Sequence, residues 1–210
     1  MLFDSRFDLT SILLLTAALI VAISAHEANH ALVATALGDD TPRRYGRLSL
    51  NPFRHIQLGM LLVFVLLGVG WGSTPVTPGK LRPSPRTGSA LVAVAGPLAN
   101  LALALVLSLP LRANLAMPPL AHQFLVIAIL LNLLLFVFNL IPFPPLDGFT
   151  VLLGILPASL AAVLKRVERY GFALIPVLFL LSFLGVNVFG RVLDPIVGFL
   201  ARALGLPGLR

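Results

Sequence analysis

The chain has 210 residues, of which 58% are hydrophobic and only 11% are charged. A soluble domain carries about 25% charged residues, so this composition excludes a water-soluble globule and indicates an integral membrane protein. The absence of cysteine excludes disulfides and thiolate metal sites. The net charge of +7 does not predict a nucleic-acid partner, because the basic residues are scattered between apolar segments, as positive-inside topology requires.

Four apolar stretches are long enough to cross the bilayer as helices, which takes about 20 residues. They are residues 9–37, 88–111, 122–141 and 170–189. Two shorter stretches, residues 56–70 and 149–164, are interrupted by glycine or proline and are typical of re-entrant or interfacial elements. The sequence therefore predicts an all-α polytopic membrane protein with about four transmembrane helices, forming one membrane-embedded domain over residues 1–210.

Two further segments have weaker patterns. Residues 44–50 mix apolar and polar side chains, which allows a short β-hairpin or edge strand. Residues 191–210 have the composition of an amphipathic surface helix.

Basic residues flank the short stretch 56–70 on both sides. They are Arg43, Arg44, Arg47, Arg54, Lys80, Arg82 and Arg86. If this stretch dips into the bilayer and returns, both loops face the cytoplasm, as the positive-inside rule prefers. We then expect a multi-pass protein of the cell membrane in which the helices 9–37 and 122–141 both run from outside to inside.

The pattern His26-Glu27-Ala28-Asn29-His30 lies near the end of the first apolar stretch. Residues i and i+4 of a helix share a face, so His26 and His30 can offer two imidazoles to one metal ion. Glu27 projects beside them and can take a proton from a water molecule at the metal. The alternative is polar packing between helices, but ionisable residues at bilayer depth are costly and indicate function.

A catalytic zinc typically has three protein ligands and one open position. Asp147 is the best third ligand, because it follows the prolines at 142, 144 and 145, which prevent regular helix and let the chain bend. Asp147 could instead cap the helix that starts at Gly148. The rival ligand is Asp194, whose position beside Arg191 indicates an interfacial residue.

Three other polar residues are candidates. Asn139, near the break, could donate a hydrogen bond to a developing oxyanion or could satisfy broken backbone. His55 could contact substrate or support the metal ligands, or could be an ordinary interfacial histidine. His122 begins an apolar stretch on the opposite side and is expected to be structural.

The chain resembles the site-2 protease family of intramembrane zinc metalloproteases, particularly its small prokaryotic branch. The resemblance rests on His26-Glu27-x-x-His30, on Asn139-x-x-Pro142 followed by Leu146-Asp147-Gly148, and on the small-residue segment Ala95-Gly96-Pro97-Leu98-Ala99-Asn100. It implies one Zn²⁺ per chain, held by His26, His30 and Asp147, with Glu27 as the base. Members of the branch often carry Asp where this chain has Gln57, so no role is carried over to that position.

The resemblance also implies a partner, a transmembrane protein substrate whose helix must unwind locally within the lipid bilayer before cleavage. A strand near residues 45–50 could hold the unwound piece by β-augmentation. Two other classes of protein stay open from the sequence: a non-proteolytic zinc-binding protein of the same fold, and a metal transporter. A transporter would more naturally spread its ionisable residues along a path, whereas here they converge at one depth. The oligomeric state is not predicted.

Overall fold

The structure is a computed structural model that describes residues 8–55, 74–166, 168, 171 and 188–206. Within these ranges the chain is mostly helical and contains no strand. The helices, numbered over the described residues, are α1 (Leu9–Ala36), α2 (Thr41–Arg44), α3 (Pro85–Arg112), α4 (Pro119–Asn139), α5 (Asp147–Ile155), α6 (Ala158–Lys165) and α7 (Val188–Ala203). Single 3₁₀ turns lie at Pro52–Arg54 and Pro78–Lys80.

Three of these helices, α1, α3 and α4, are long and apolar enough to cross a membrane. Only 39%, 39% and 28% of their most apolar windows are buried within the protein, so most of each helix surface is apolar and faces outward. Such a surface matches the hydrocarbon of a bilayer and would be unfavourable in water. The prediction of a helical membrane protein is confirmed.

The predicted fourth span, the two short stretches and the β-hairpin have different outcomes. Residues 56–70, and nearly all of the expected fourth span at 170–189, lie outside the described residues. The interruption within 149–164 is observed, because α5 ends at Ile155 and α6 begins after Pro157. The β-hairpin is not confirmed, since residues 45–50 form turns and bends. Two exposed side chains there, Tyr45 and Leu50, have no neighbouring strand to pack on within the described chain.

Helix α1 is closed at both ends by local hydrogen bonds. Asp8 caps its start, where the carboxylate accepts the Ser11 N–H at 2.9 Å. At the other end Gly38 adopts a left-handed φ of 103°, and the Asp39 N–H bonds back to the Ala34 carbonyl at 2.9 Å. This is the Schellman type of helix end, which favours glycine at the left-handed position. The chain therefore turns sharply just after the helix that carries the His-Glu-x-x-His motif.

Helix α3 lies at the centre of the described structure. It packs against α1, α4 and α5, and α1 also contacts α4. One apolar cluster joins α1 to α4 through Ala18, Leu19, Ile23, Ala128 and Leu131. A second joins α3 and α4 to the C-terminal region through Ala104, Ile129, Leu133, Ala201, Leu204 and Leu206. Helix α7 is thus amphipathic, as expected, and packs one face on α4.

Candidate metal centre

The two histidines of the first motif lie on one face of α1, turned toward α3. His26 and His30 are 8% and 7% exposed, and their Nε2 atoms are 2.9 Å apart. Glu27, between them in sequence, is also buried. The helical spacing therefore brings the two imidazoles together as the sequence predicts.

Asp147 lies beside the two histidines, although it is more than a hundred residues away in the sequence. The chain leaves α4 at Asn139, turns through the proline-rich segment and enters α5 at Asp147 itself. One carboxylate oxygen, Oδ2, lies 3.1 Å from His26 Nε2 and 3.4 Å from His30 Nε2. The alternative in which Asp147 caps α5 is not observed, because Leu146 is the N-cap residue and no side chain caps this helix. Asp194, the rival, is exposed on α7.

Hydrogen bonds on the other ring nitrogens define how the imidazoles are protonated. His30 Nδ1 lies 2.7 Å from the Val92 carbonyl oxygen, which can only accept, so this nitrogen carries the proton. His26 Nδ1 lies 2.7 Å from Asn100 Oδ1. The orientation of the Asn100 amide follows from its Nδ2, which donates to the Ala22 carbonyl at 3.1 Å. His26 Nδ1 therefore also donates.

When both rings are neutral, the proton on each Nδ1 leaves both Nε2 lone pairs directed at the same point. The Asp147 carboxylate adds a third acceptor, and the three ligand atoms all lie within 4.8 Å of one another. At these distances three acceptors repel one another unless a proton or a metal cation lies between them, and only a metal cation can bind all three at once. Two imidazoles and one carboxylate are a typical donor set for catalytic zinc, which keeps its fourth position for water or substrate. The residues present therefore fit a zinc ion.

The approach of α3 to this point depends on Gly96. A Cβ atom built at Gly96 would lie 2.4 Å from His30 Nε2 and 2.5 Å from His26 Nε2. No side chain fits at these distances, so glycine here leaves room for the histidines and for an ion between them. Small residues at helix interfaces allow such close approach in membranes.

Polar side chains on α3 and α4 extend the site away from the metal. Asn100 and Asn132 are both fully buried, and Asn100 Nδ2 donates to Asn132 Oδ1 at 2.9 Å. Asn132 in turn donates to the Ala128 carbonyl at 2.8 Å. Asn29, inside the first motif, donates to the Ala95 carbonyl at 2.5 Å. Asn132 was not among the residues predicted from the sequence, although an amide side chain in so apolar a helix is a signal of a polar contact between helices.

Glu27 has a partner, Thr74, that was not predicted from the sequence. The Thr74 hydroxyl lies 2.6 Å from Glu27 Oε2 and 3.1 Å from the Glu27 carbonyl oxygen. Thr74 begins the described stretch that leads into α3. Its contact with Glu27 depends on folding across more than forty residues of chain.

The remaining candidates lie as follows. Asn139 is the last residue of α4, half-buried, and its amide donates to the Leu135 carbonyl of its own helix at 3.0 Å. His55 is buried, and its Nε2 lies 2.5 Å from the Ser49 carbonyl oxygen, so it holds the turn before it. His122 is exposed near the start of α4, and its structural role stays a prediction.

Two buried histidines and a partly buried aspartate lie beside a glutamate, among helices that match a bilayer. This arrangement is typical of a membrane-embedded metal hydrolase. Comparison with known proteins agrees: Peptidase family M50 matches residues 117–183. The protein "Putative zinc metalloprotease YwhC" of Bacillus subtilis (strain 168) is 39% identical over 169 residues, which are 77% of this chain and 77% of that protein. "Putative zinc metalloprotease Rip2" of Mycobacterium tuberculosis (strain H37Rv) is 32% identical over 183 residues, 82% of this chain and 69% of its own length. No solved structure matches the chain.

The chain belongs to Peptidase family M50, the site-2 protease family. It is an intramembrane zinc metalloprotease. The two alternative functions, a metal transporter and a non-proteolytic zinc-binding protein, are not favoured. Its cofactor is zinc, and the class of its substrates is that of membrane proteins cleaved within the bilayer.

Proposed function

We propose that His26, His30 and Asp147 hold the zinc and that Glu27 is the general base of peptide hydrolysis. The observation that carries this proposal is the convergence of two Nε2 lone pairs and one carboxylate oxygen on a single point, with each imidazole oriented by a hydrogen bond on its other nitrogen. Such partners fix the ring and its tautomer in metal sites. Glu27 follows a ligand directly, so it lies beside the ion without being needed to bind it.

Zinc, when bound, polarises the scissile carbonyl and makes a water molecule acidic enough to react near neutral pH. The chain supplies the rest. Glu27 accepts the proton of the attacking water and delivers it to the nitrogen of the leaving amine, which a carboxylate within hydrogen-bond reach can do. Helix α3 holds His26 through Asn100 and His30 through the Val92 carbonyl, so neither ring has to reorient during the reaction.

Asn139 remains a proposed oxyanion donor. It ends α4 eight residues before Asp147, where the helix breaks, so it lies on the segment that turns toward the metal. Its amide is bonded to the Leu135 carbonyl and would have to rotate, or share this bond, to reach a substrate. Such rearrangement is common, because catalytic hydrogen bonds often form fully only with substrate bound.

We further propose one membrane domain over residues 1–210, with about four spans in the cell membrane and the metal toward the cytoplasmic side. The support is the excess of basic residues in the loops on either side of residues 56–70. The chain has no cysteine, so single cysteines at Tyr45 and at Gly79 can be labelled without background. Labelling of the two positions from opposite sides of the membrane would contradict this topology.

The proposed roles are tested with purified protein in lipid and a reporter protein that carries one transmembrane helix. Glu27→Gln is expected to keep one zinc per chain and to lose cleavage by about 10²–10⁴-fold, the usual contribution of general-base catalysis. Asp147→Ala is expected to lose zinc, whereas the exposed carboxylate variant Asp194→Ala is the matched control and should retain it. Full zinc content in Asp147→Ala would remove Asp147 from the ligand set, and cleavage by Glu27→Gln at the wild-type rate would refute the base.

A further inference from the structure

The carboxylate of Glu27 is bonded to a residue that lies outside its own helix. The Thr74 hydroxyl is 2.6 Å from Oε2, a distance typical of a short hydrogen bond from a hydroxyl to an ionised carboxylate. The Thr74 hydroxyl oxygen also lies 3.1 Å from the Glu27 backbone carbonyl oxygen, a longer and weaker contact. A hydroxyl has one proton to donate, so its main acceptor is the side chain of Glu27.

The stretch that carries Thr74 is fastened to the end of α1. Asp39 is fully buried there, and its carboxylate accepts the Thr41 N–H at 3.0 Å and the Thr77 N–H at 2.6 Å. Farther along, the Arg82 N–H donates to the Leu37 carbonyl at 2.9 Å. The stretch 74–82 is therefore bonded to Glu27 of α1 and to Leu37 and Asp39, which directly follow this helix.

Apolar packing fixes the same stretch from the other side. Leu81 is buried in a cluster with Ala34 of α1 and Val92 of α3. Val92 is also the residue whose carbonyl holds His30. The stretch thus lies against both helices that build the metal centre, and a shift of its backbone would move the Thr74 hydroxyl away from Glu27.

We propose that Thr74 is a positioning residue for the general base. It holds Oε2 of Glu27 in one place, so that Oε1 is left to exchange the proton with the attacking water and the leaving amine. Asp39 acts indirectly, because its carboxylate holds the stretch that carries Thr74. The inference rests on the role of Glu27 in the proposed function.

The physical reason is the freedom of the glutamate side chain. Three rotatable bonds separate the Glu27 backbone from its carboxylate, and a base is effective only within hydrogen-bond reach of the proton that it takes. A restraint on one oxygen removes most of this freedom before substrate binds, which favours the reactive geometry. Within the described residues the hydrogen bonds of the Thr74 hydroxyl go to Glu27 and not to His26, His30 or Asp147, so zinc binding should not depend on this hydroxyl.

The experiment compares variants of the full-length, zinc-loaded protein in lipid with the same reporter substrate. Thr74→Val replaces the hydroxyl by a methyl group of similar size, and Thr74→Ser keeps the hydroxyl. Thr16→Val is the matched control, because this α1 hydroxyl bonds only within its own turn, to the Ile12 carbonyl at 2.8 Å. Glu27→Gln is measured in parallel, with kcat, KM, zinc content and thermal unfolding recorded for each.

We expect Thr74→Val to lower kcat by about 10- to 100-fold, as the loss of a hydrogen bond to a charged group predicts, while KM and zinc content stay within about twofold of wild type. Thr74→Ser should restore kcat to within about threefold, and Thr16→Val should match wild type. The inference is overturned if Thr74→Val cleaves like wild type, if it loses zinc, or if Thr74→Ser is as impaired as Thr74→Val. An active Glu27→Gln would instead show that the base itself is assigned wrongly.

Discussion

Substitution of Gly96 by alanine adds a single methyl group at the point where the ligand atoms meet. The built Cβ lies 2.4 Å from His30 Nε2 and 2.5 Å from His26 Nε2. Ordinary contacts of a Cβ atom begin at 3.4 Å, so the distance from this Cβ to His30 Nε2 is too short by about 1 Å. Both rings, or the whole of α3, must therefore move by about 1 Å.

A movement of that size is large for a metal site, in which ligand distances hold to about 0.2 Å. Loss of an outer hydrogen-bond partner lowers metal affinity by about 10–100-fold. Displacement of two direct ligands should exceed this, so we expect zinc affinity to fall by at least about 100-fold. The helix itself should persist, because alanine is favoured over glycine in a helix interior by about 1 kcal/mol.

The assay is zinc content after equilibration with a buffered series of free zinc, together with helix content by circular dichroism. Gly79→Ala is the control, since no atom lies within 4 Å of a Cβ at that position. We expect Gly96→Ala to be helical but to require far more zinc for occupancy, and to cleave poorly at limiting zinc. Wild-type zinc affinity in Gly96→Ala would refute the assignment of the ion to the space between Gly96 and the Nε2 atoms of His26 and His30.

Two further predictions concern groups around the site. Asn100→Leu should lower zinc affinity by about 10–100-fold without removing a ligand, because His26 loses the acceptor that orients its ring; wild-type affinity in a metal titration would contradict this. Burial of Asp39 would raise the pKa of its carboxyl, but the hydrogen bonds from Thr41 and Thr77, with the charge of Lys80, outweigh burial and lower it. Its stabilisation is then present above the unfolded pKa of about 3.9 and is lost as pH falls through the lower folded value. Asp39→Asn should destabilise the protein by about 1–3 kcal/mol at neutral pH, and unfolding experiments should show this difference narrowing below about pH 4.

The sequence predicted those parts of the site that local geometry determines. The spacing of His26 and His30 depends only on the helical repeat, and their helix was evident from its length and apolar composition. The bend that delivers Asp147 was evident from three prolines, which cannot continue a helix. The ends of the long helices also lie within a few residues of the ends of the apolar stretches.

Rotation of the helices about their own axes could not be predicted in the same way. A helix that is apolar on all sides shows no preferred face, so the sequence did not indicate that Asn100 would meet His26 and Asn132. Thr74 was missed for a different reason: the position of an irregular stretch is determined by distant partners such as Asp39. Gly96 was noted as part of a small-residue segment, but the close contact that requires it appears only when α3 is packed on α1.

Most polar atoms of the proposed metal centre have hydrogen-bond partners on α3, and the few that remain are those that a metal ion would bind. In a bilayer a buried polar atom without a partner costs several kcal/mol, since no bulk water can replace the bond. Asn29 and both Nδ1 atoms of the motif have their partners on α3, so α1 and α3 satisfy each other there. The atoms left over are the two Nε2 lone pairs and the carboxylate of Asp147, and all three are acceptors. A proton on one Nε2 atom can pair that ring with Asp147, but only a metal cation can bind all three acceptors at once. With the proposed ligands, the same ion would join the short helix α5 to α1. Binding of the ion would then both complete the reactive centre and link these two helices.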